Sequence, residues 1–359
     1  MYHMNDINNK RKLIPKTVMM SHGSGGQDSA LLMREIFSPH FSNDILDHLD
    51  DGAVLPEKLV VSTDSFVVSP LIFPGGDIGK LAICGTVNDV LMMGAIPKYL
   101  SCAFIIEEGF PVDKLDCIVL SMADTAKAAG IKIVTGDTKV IERGAGSHNG
   151  TESGLFINTT GLGHLRDTLM HPAASRAKPG DAVIVSGNLG DHHACILSAR
   201  MGIENDIISD CAVLSDIVSA ALDASDDIHV MRDITRGGLA TVLNEIAASA
   251  VAGDGKNKIQ IQIDEDSIPV AQNVQALCGI MGLDPLYMGN EGKLVCICPE
   301  SDAQKTLAAM RQTQNGENAR IIGRIAVCDD SDHPVIVKTE IGGSRRLGML
   351  VGEGLPRIC

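Results

Sequence analysis

The sequence has few aromatic and few basic residues. It contains no tryptophan, three tyrosines and seven phenylalanines, so aromatic residues make up 3% of its 359 positions. A hydrophobic core must therefore come mainly from Ala, Val, Ile, Leu and Met. Lys and Arg number 30 against 45 Asp and Glu, which gives a formal net charge of −15. So acidic a chain is a poor general ligand for a phosphate backbone, and we expect no nucleic-acid partner.

Long apolar runs and paired cysteine motifs are also missing. Stretches such as Leu59–Val61 and Cys117–Leu120 are strand-sized and fall far short of the ~20 residues of a membrane-spanning helix. The first sixteen residues have a basic cluster but not the apolar core of a signal peptide. No C-x-x-C spacing occurs among the ten cysteines, which disfavours a zinc ribbon or a thioredoxin-type site. We therefore expect a reduced, cytoplasmic protein without a membrane partner or a disulfide framework.

Hydrophobic patterning predicts two domains, as a chain of this length at roughly 150 residues per domain would have. Strands and helices alternate in both halves, and Pro and Gly near His171-Pro172 and Lys178-Pro179-Gly180 indicate a boundary. The predicted parts are a flexible leader (1–19), an N-terminal domain (20–170), a C-terminal domain (171–341) and a mobile glycine-rich tail (342–359).

Acidic residues recur at predicted strand ends and helix starts. They are Asp51 beside Asp50, Asp64, Asp89, Asp137 and Asp233. Mg²⁺ prefers hard oxygen ligands and usually binds through one or two carboxylates together with substrate phosphates. Each aspartate could instead simply make a turn, especially beside glycine. Their occurrence together with a Gly-Asp-Thr-Lys sequence favours a site for Mg²⁺ and a phosphate ligand.

Three segments have the composition of phosphate-binding loops. In Gly136-Asp137-Thr138-Lys139, glycine allows close approach, Thr offers a hydroxyl and Lys a point charge, although the spacing is not that of a Walker A motif. His22-Gly23-Ser24-Gly25-Gly26 and Thr235-Arg236-Gly237-Gly238 each precede a predicted helix and could face an anion. A flexible joint and an ordinary glycine cap are the alternatives. No G-x-G-x-x-G follows a strand, which disfavours a dinucleotide site.

Three further features could carry chemistry. Glu291, in Asn290-Glu291-Gly292-Lys293, is either a surface turn residue or a general base. Asp191-His192-His193 indicates a helix start with Asp191 as the cap more than a metal site. The chain ends in Cys359, whose thiol would be available at an exposed terminus. Sixteen residues from Ser344 span roughly 50 Å when extended, so the thiol could reach a distant site or another protein.

Taken together, these motifs resemble the HypE family of hydrogenase maturation proteins, within the aminoimidazole ribonucleotide synthetase-like superfamily. The resemblance runs from about residue 20 to the end, and the terminal P-R-I-C is its most specific mark. The leader and the polar stretch 144–153 lie outside it. The matching segments are His22–Gly26, Ser62–Ser65, Phe73–Gly76, Asn88–Val90, Gly136–Val140, Arg236–Gly238, Asn290–Lys293 and Pro356–Cys359.

The resemblance implies a two-domain α+β fold whose N-terminal domains pair into a barrel-like homodimer, with a flexible C-terminal tail. It implies that HypF transfers a carbamoyl group to Cys359 and that ATP then drives its dehydration to a thiocyanate. The HypC–HypD complex would receive the cyano group on iron, for [NiFe]-hydrogenase. We expect two states of the tail, one out for loading and one folded in for a dry reaction.

The resemblance also implies roles for single residues. Cys359 would carry the substrate, Lys139 would stabilise phosphate charge or assist proton transfer, and Glu291 would be the base. Mg²⁺ would be held by Asp64, Asp89 and Asp233, with Asp51 as a further candidate, and Asp137 could bind metal or nucleotide. The residues implied to bind ATP are His22, Gly23, Ser24, Gly25, Gly26, Thr63, Asn88, Gly136, Asp137, Thr138, Lys139, Arg236, Gly237 and Gly238.

Two other functions fit part of the sequence. One is another ATP-dependent enzyme of the superfamily, such as a selenophosphate synthetase, a thiamine-phosphate kinase or a purine-pathway synthetase. A selenophosphate synthetase would need a reactive Cys near its N-terminal glycine-rich loop, and no cysteine precedes Cys84 here. The other is a non-catalytic scaffold whose tail docks on a metallochaperone. ATP turnover on the thiocarbamoylated protein separates that scaffold from an enzyme.

Overall fold

The computed structural model describes residues 17–144, 154–166, 170–254, 259–328, 334–355 and 357–359. Most of the predicted leader, nearly all of the polar stretch 144–153 and Pro356 lie outside the described residues. The strands are β1 (Ala53–Leu55), β2 (Leu59–Phe66), β3 (Ile72–Phe73), β4 (Gly76–Asp77), β5 (Ala95–Glu107), β6 (Lys132–Ile141), β7 (Leu155–Leu165), β8 (Asp181–Val185), β9 (Val230–Asp233), β10 (Ile259–Asp264), β11 (Leu294–Pro299), β12 (Arg320–Val327), β13 (Val335–Lys338) and β14 (Ser344–Arg346).

The helices cover the faces of the sheets and join their strands. Short 3₁₀ turns occur at Met20–Gly23, Leu46–His48, Pro56–Lys58, Ala174–Arg176, Glu265–Ser267 and Pro285–Tyr287, and a π turn at Met33–Phe37. The α-helices are α1 (Gln27–Leu32), α2 (Ser38–Phe41), α3 (Ile78–Met92), α4 (Val112–Ala128), α5 (Asp191–Met201), α6 (Ser215–Ala224), α7 (Gly238–Asp254), α8 (Gln272–Met281) and α9 (Glu300–Arg311).

The first sheet has the order β1-β2-β7-β5-β6, with a parallel pairing between β5 and β6 and antiparallel pairings elsewhere. Helix α3 packs on β2, β5 and β7 and is buried nearly all round. It begins where the Asp77 carboxylate accepts hydrogen bonds from the backbone N–H groups of Gly79 (2.7 Å) and Lys80 (3.0 Å). At the far edge, nine of the ten residues of β6 are exposed.

The second sheet has the order β14-β13-β10-β12-β8-β11-β9, with a parallel pairing between β10 and β13. All five residues of the interior strand β8 are buried, because helices cover both faces of the sheet. On one face Val183 packs with Leu243 of α7, and on the other Ile184 packs in the cluster that includes Ile217 of α6. The predicted α+β class is therefore confirmed.

One hydrophobic cluster joins the two halves of the molecule. It contains Phe66 and Leu81 from the first half and Ile184 and Ile217 from the second. The two sheets therefore share one hydrophobic core. The candidate active-site residues lie along this shared region. Within the described residues, we find no helix that is both long enough and apolar enough to cross a bilayer.

Candidate active site

Four aspartates from three elements and one loop converge between the two halves. Asp64 lies on β2, Asp89 on α3, Asp233 ends β9, and Asp51 precedes β1. Their proximity shows in their electrostatics, since Asp233, Asp51 and Asp64 all raise the pKa of Asp89 by charge repulsion. The hydroxyl of Ser62 donates a hydrogen bond to Asp89 Oδ2 (2.7 Å). The fold thus assembles the four predicted metal ligands into one acidic cluster.

The acidic cluster is short of compensating positive charge. Burial and neighbouring carboxylates raise the pKa of Asp51 to about 6, although Arg232 Nε lies 2.5 Å from its Oδ1. Burial is also the main cause that holds the pKa values of Asp89 and Asp233 well above the usual range. Bringing several buried carboxylates together without a cation is costly, and a bound divalent ion would offset that cost.

The chemistry of the cluster fits Mg²⁺. Its donors are hard carboxylate oxygens, and Asp51 Oδ2 is buried without a hydrogen-bond partner. In the part of the chain that the structure describes, no three His, Cys, Asp or Glu side chains are already arranged as a metal cage. Mg²⁺ needs no such cage, because it commonly takes one or two carboxylates and completes its shell with phosphate oxygens and water.

The two predicted glycine-rich loops meet beside this cluster. A Cβ on Gly25 would lie 2.6 Å from the carbonyl oxygen of Arg236, and one on Gly237 would lie 2.5 Å from that of Gly25. Both glycines have positive φ, +74° and +81°, so they allow an approach that other residues would block. His22 is buried and its Nδ1 accepts from the backbone N–H of Met19 (2.9 Å). His22 therefore holds the shape of the loop.

The end of the chain is docked into the same region. The backbone N–H of Val67 donates to Cys359 O (2.9 Å), and that of Ser69 donates to Arg357 O (2.9 Å). Cys359 is 5% exposed, so the expectation of an exposed terminal thiol is wrong for this state. The reason is that these main-chain bonds and the buried side chain of Ile358 hold the last residues in the core. The observed position is the inward one of the two predicted tail states.

The thiol of Cys359 lies between Glu291 and Arg236. Burial raises its pKa well above the usual range, and the nearby charges of Glu291 and Asp64 add to this while Arg236 opposes it. Burial and the charges of Asp233 and Asp210 raise the pKa of Glu291 as well. Arg236 Nη2 lies 3.9 Å from Asp64 Oδ1. Carrier thiol, candidate base and cation thus meet beside the acidic cluster.

Asp64 and Arg236 also connect this point to solvent. Their side chains are 30% and 39% exposed, whereas those of Asp51 and Arg232 are 7% and 12% exposed. A charged ligand such as a nucleotide would therefore approach past Asp64 and Arg236.

The Gly136–Lys139 segment is not brought to the thiol within one chain. Lys139 Nζ lies 2.6 Å from Asp137 Oδ2, and both side chains are mostly exposed on the edge strand β6. Lys139 pairs in register with Ile105 of β5, which pairs with Phe156 of β7. Since β2 is one strand further, Lys139 lies three strand spacings, roughly 14 Å, from the line of β2. Its role stays a prediction.

Two predicted nucleotide ligands are occupied by protein groups. Asn88 Nδ2 donates to Ala212 O (3.0 Å), and Asn88 Oδ1 accepts from the backbone N–H of Leu214 (2.9 Å). Asn88 is 2% exposed, so its assignment to ATP needs correction: its amide joins α3 to the second half. Thr63 Oγ1 bonds to Thr159 O (3.1 Å) across the sheet, and its residue remains exposed.

Sequence reasoning missed the residues that hold the base and the tail. Asp210 Oδ1 accepts from the backbone N–H of Glu291 (3.1 Å), and Lys293 Nζ lies 3.4 Å from Asp210 Oδ2. Asp210 stands in a segment with no recognisable motif, so nothing in the sequence marks it. A helix does start at this segment as predicted, but its cap is Gly190 and Asp191 is its first residue, so the prediction of Asp191 as the cap is wrong. The contact of His192 with the tail was not foreseen.

Comparison with known families first defines the class of protein. Residues 49–165 match the family described as AIR synthase related protein, N-terminal domain, and residues 178–334 match its C-terminal domain. The thiamine monophosphate kinase of Aquifex aeolicus has a similar fold, with a TM-score of 0.63 over 90% of this chain and 98% of that one at 17% identity. The chain is thus a two-domain protein of the AIR synthase related class.

More similar proteins identify the family within this class. Carbamoyl dehydratase HypE of Azotobacter vinelandii is 47% identical over 348 residues, covering 96% of this chain and 97% of that protein. A crystal structure of HypE in complex with ATP gives a TM-score of 0.78 at 46% identity, covering 96% and 100% of the two chains. A HypE–HypF complex gives 0.81 at 43% identity, covering 89% and 99%. The chain belongs to the HypE family of carbamoyl dehydratases.

Proposed function

We propose that this protein uses ATP to dehydrate a carbamoyl group carried on its own Cys359 to a thiocyanate. The product is the cyanide donor for the iron of [NiFe]-hydrogenase during maturation. The observation that carries this proposal is the docked terminal thiol, buried near Glu291, Arg236 and the acidic cluster. Membership of the HypE family and the ATP complex of a similar protein support it.

The arrangement suits the chemistry of an amide. A carbamoyl oxygen is a poor leaving group, and its phosphorylation by ATP lets it depart within inorganic phosphate. Both N–H protons must leave before a C≡N bond is complete, which requires a base at the nitrogen. Glu291 lies at the sulfur that carries this group, and its raised pKa makes its carboxylate a stronger base than an ordinary glutamate. Arg236 is placed to balance negative charge on the departing oxygen.

ATP and Mg²⁺ would meet this group at the exposed side of the cluster. Asp51, Asp64, Asp89 and Asp233 would hold Mg²⁺, which supplies Lewis-acid stabilisation of the phosphates when bound. The two facing glycine-rich loops, 22–26 and 236–238, would contact the nucleotide through backbone N–H groups. Lys139 would leave Asp137 for a phosphate, since ATP is long enough to bridge the strands between them.

Partners follow from the exposed surfaces and the family. The exposed edge of β6, with Ile133, Val134 and Val140 on it, suits pairing with a second copy of the chain in a homodimer. A carbamoyltransferase such as HypF would load Cys359 while the tail is out, and a similar protein has been crystallised with HypF. An iron scaffold such as the HypC–HypD complex would accept the cyanide. We place these steps in the cytoplasm.

Replacing the carrier thiol tests the proposal. Cys359→Ala should accept no carbamoyl group from HypF and carbamoyl phosphate, and should still bind ATP. Cys117→Ala, which removes an exposed cysteine on α4, is the matched control and should behave as the unaltered protein does. Intact mass after incubation measures the result, since the thiocyanate adds the carbamoyl mass minus one water. Normal cyanide transfer by the Cys359→Ala protein would contradict the assignment of Cys359 as the carrier.

A further inference from the structure

Helix α5 contacts the tail at two successive carbonyl groups. His192, which is fully buried, places its Nε2 2.7 Å from the carbonyl oxygen of Ile358. Eight residues later, Arg200 donates from Nη2 to the carbonyl oxygen of Arg357 and from Nε to that of Ser69 (2.5 Å). Arg200 thus binds both the tail and the segment after β2 against which the tail lies. Neither side chain contacts the sulfur that carries the substrate.

A third residue, Ser209, supports the form of His192 that binds the tail. A carbonyl oxygen accepts only, so Nε2 must carry the ring proton, and Nδ1 then accepts from the hydroxyl of Ser209 at 2.7 Å. The edge of Phe73, with ring centroids 5.4 Å apart, fixes the ring from the side. Burial lowers the pKa of His192, which keeps this neutral form. The carbonyl of Ile358 thus selects the tautomer, and Ser209 supports it by donating to the nitrogen left without a proton.

The same segment also holds the candidate base. Asp210, the neighbour of Ser209, accepts a hydrogen bond from the backbone N–H of Glu291. The adjacent residues Ser209 and Asp210 thus contact both sides of the site. Ser209 bonds to His192, which holds the tail, and Asp210 bonds to the loop that carries Glu291. The spacing between Cys359 and Glu291 depends on this shared support.

We propose that His192, Arg200 and Ser209 are positioning residues for the dehydration, which hold the main chain of the tail so that Cys359 is presented to Glu291. The inference rests on the proposed function and extends it to residues that touch no reacting atom. Because the hold uses carbonyl groups of residues 357 and 358, it is independent of what the sulfur carries. The tail therefore returns to one register whether it bears a free thiol, a carbamoyl group or a cyano group.

Alkylation of Cys359 by iodoacetamide, followed by peptide mass spectrometry without ATP or carbamoyl donor, tests the hold directly. Arg200→Ala and Ser209→Ala should each expose the thiol and speed alkylation about tenfold or more, since each removes a hydrogen bond that supports the docked state. Arg200→Lys should restore part of the protection. Arg166→Ala, whose arginine pairs with Asp223 elsewhere, is the control and should leave the alkylation rate unchanged. Unchanged alkylation in both test variants overturns the proposal.

A second measurement tests whether holding the tail affects the dehydration step. In protein already carbamoylated on Cys359, Arg200→Ala and Ser209→Ala should lower the dehydration rate and leave the KM for ATP unchanged. A merely destabilising substitution would not give that separation. Faster alkylation with an unaltered dehydration rate also overturns the positioning role. The alkylation assay uses none of the proposed chemistry, so loss of protection in a protein that never dehydrates its carbamoyl group would instead count against the proposed function.

Discussion

The thiol of Cys359 is buried close to the buried carboxylate of Glu291, whose charge helps to raise the pKa of the thiol. The pKa of each group is raised, so the docked thiol is protonated and a poor nucleophile. Docking thus protects the free carrier from modification. Loading of the carbamoyl group must take place with the tail released, and the Glu291 contact becomes useful only when the loaded tail returns.

Glu291→Gln should separate loading from dehydration. The amide has nearly the same size but cannot accept a proton, so carbamoylated Cys359 should accumulate and thiocyanate formation should fall by about 10²–10⁴-fold. A time course of intact mass measures both species. Glu300→Gln, at the exposed start of α9, is the control and should dehydrate normally. Thiocyanate formation by Glu291→Gln at the control rate would show that another group is the base.

Asp89→Asn should make the metal-free protein more stable and less active. The substitution removes one buried charge from a cluster whose members repel each other, so the free energy of unfolding should rise by about 1 kcal/mol. ATP turnover should fall, because a proposed Mg²⁺ ligand is lost. Urea unfolding without Mg²⁺ and phosphate release with it measure the two effects. A destabilised Asp89→Asn protein would contradict the assignment of repulsion within the cluster.

The acidic cluster should make the metal-free protein less stable as pH rises. The pKa of Asp51 is about 6 in the folded chain against 3.8 for an ordinary aspartate, so the folded state binds this proton more tightly. The stability it contributes is complete below pH ~4 and is lost as pH rises through ~6. Asp89 extends the loss to higher pH. The difference in unfolding free energy between the unaltered protein and Asp89→Asn should widen from pH 5 to pH 8, and saturating Mg²⁺ should reduce it.

Lys139→Ala should slow the phosphoryl step without affecting the docked tail. Lys139 is far from Cys359 within one chain, so the rate of iodoacetamide alkylation should stay the same while the dehydration rate falls by about 10²-fold. Lys132→Ala removes an exposed lysine from the same strand and should have neither effect. If carbamoylated Cys359 is dehydrated at the normal rate without Lys139, its phosphate role is wrong.

Gly237→Ala should damage the contact between the glycine-rich loops. A Cβ there would approach Gly25 O and Thr241 Oγ1 to 2.5 and 2.4 Å at a positive φ, so we expect a loss of about 1–3 kcal/mol in unfolding free energy. Gly279→Ala is the control, because a Cβ on Gly279 in α8 meets nothing within 4 Å. That helix position should gain up to ~1 kcal/mol instead. Equal effects of the two substitutions in thermal unfolding would refute this account.

Much of the secondary structure was predictable because its patterns are local. Apolar residues recur at helical spacing along Ile78–Met92, with glycine and proline soon after, and these local signals match α3. The apolar run that starts at Leu59 likewise matches the start of β2. The pairing order of the strands was not predictable, since it depends on contacts between distant segments. The sequence could not have chosen this mixed sheet over a doubly wound one without the resemblance to a known family.

The candidate site shows the same limit. Asp64, Asp89 and Gly237 could be predicted, because each stands in a short sequence motif of glycine or carboxylate residues. Asp210 and Arg200 act only through groups brought together by the fold, so no local pattern could indicate them. Asn88 misled for the opposite reason: it stands beside Asp89 in a recognisable motif, yet both ends of its amide bond to the second half.

The amide of Asn88 has a kinetic consequence. By bonding to Ala212 and Leu214 one residue before Asp89, it fastens the two halves at the acidic cluster itself. Rotation of one half against the other would break these bonds, so in the proposed cycle the end of the tail is the part that moves. Each catalytic cycle then contains a search by a tethered chain end, whose frequency depends on tail length and solvent viscosity. That search sets a ceiling on turnover that no increase in ATP concentration can lift.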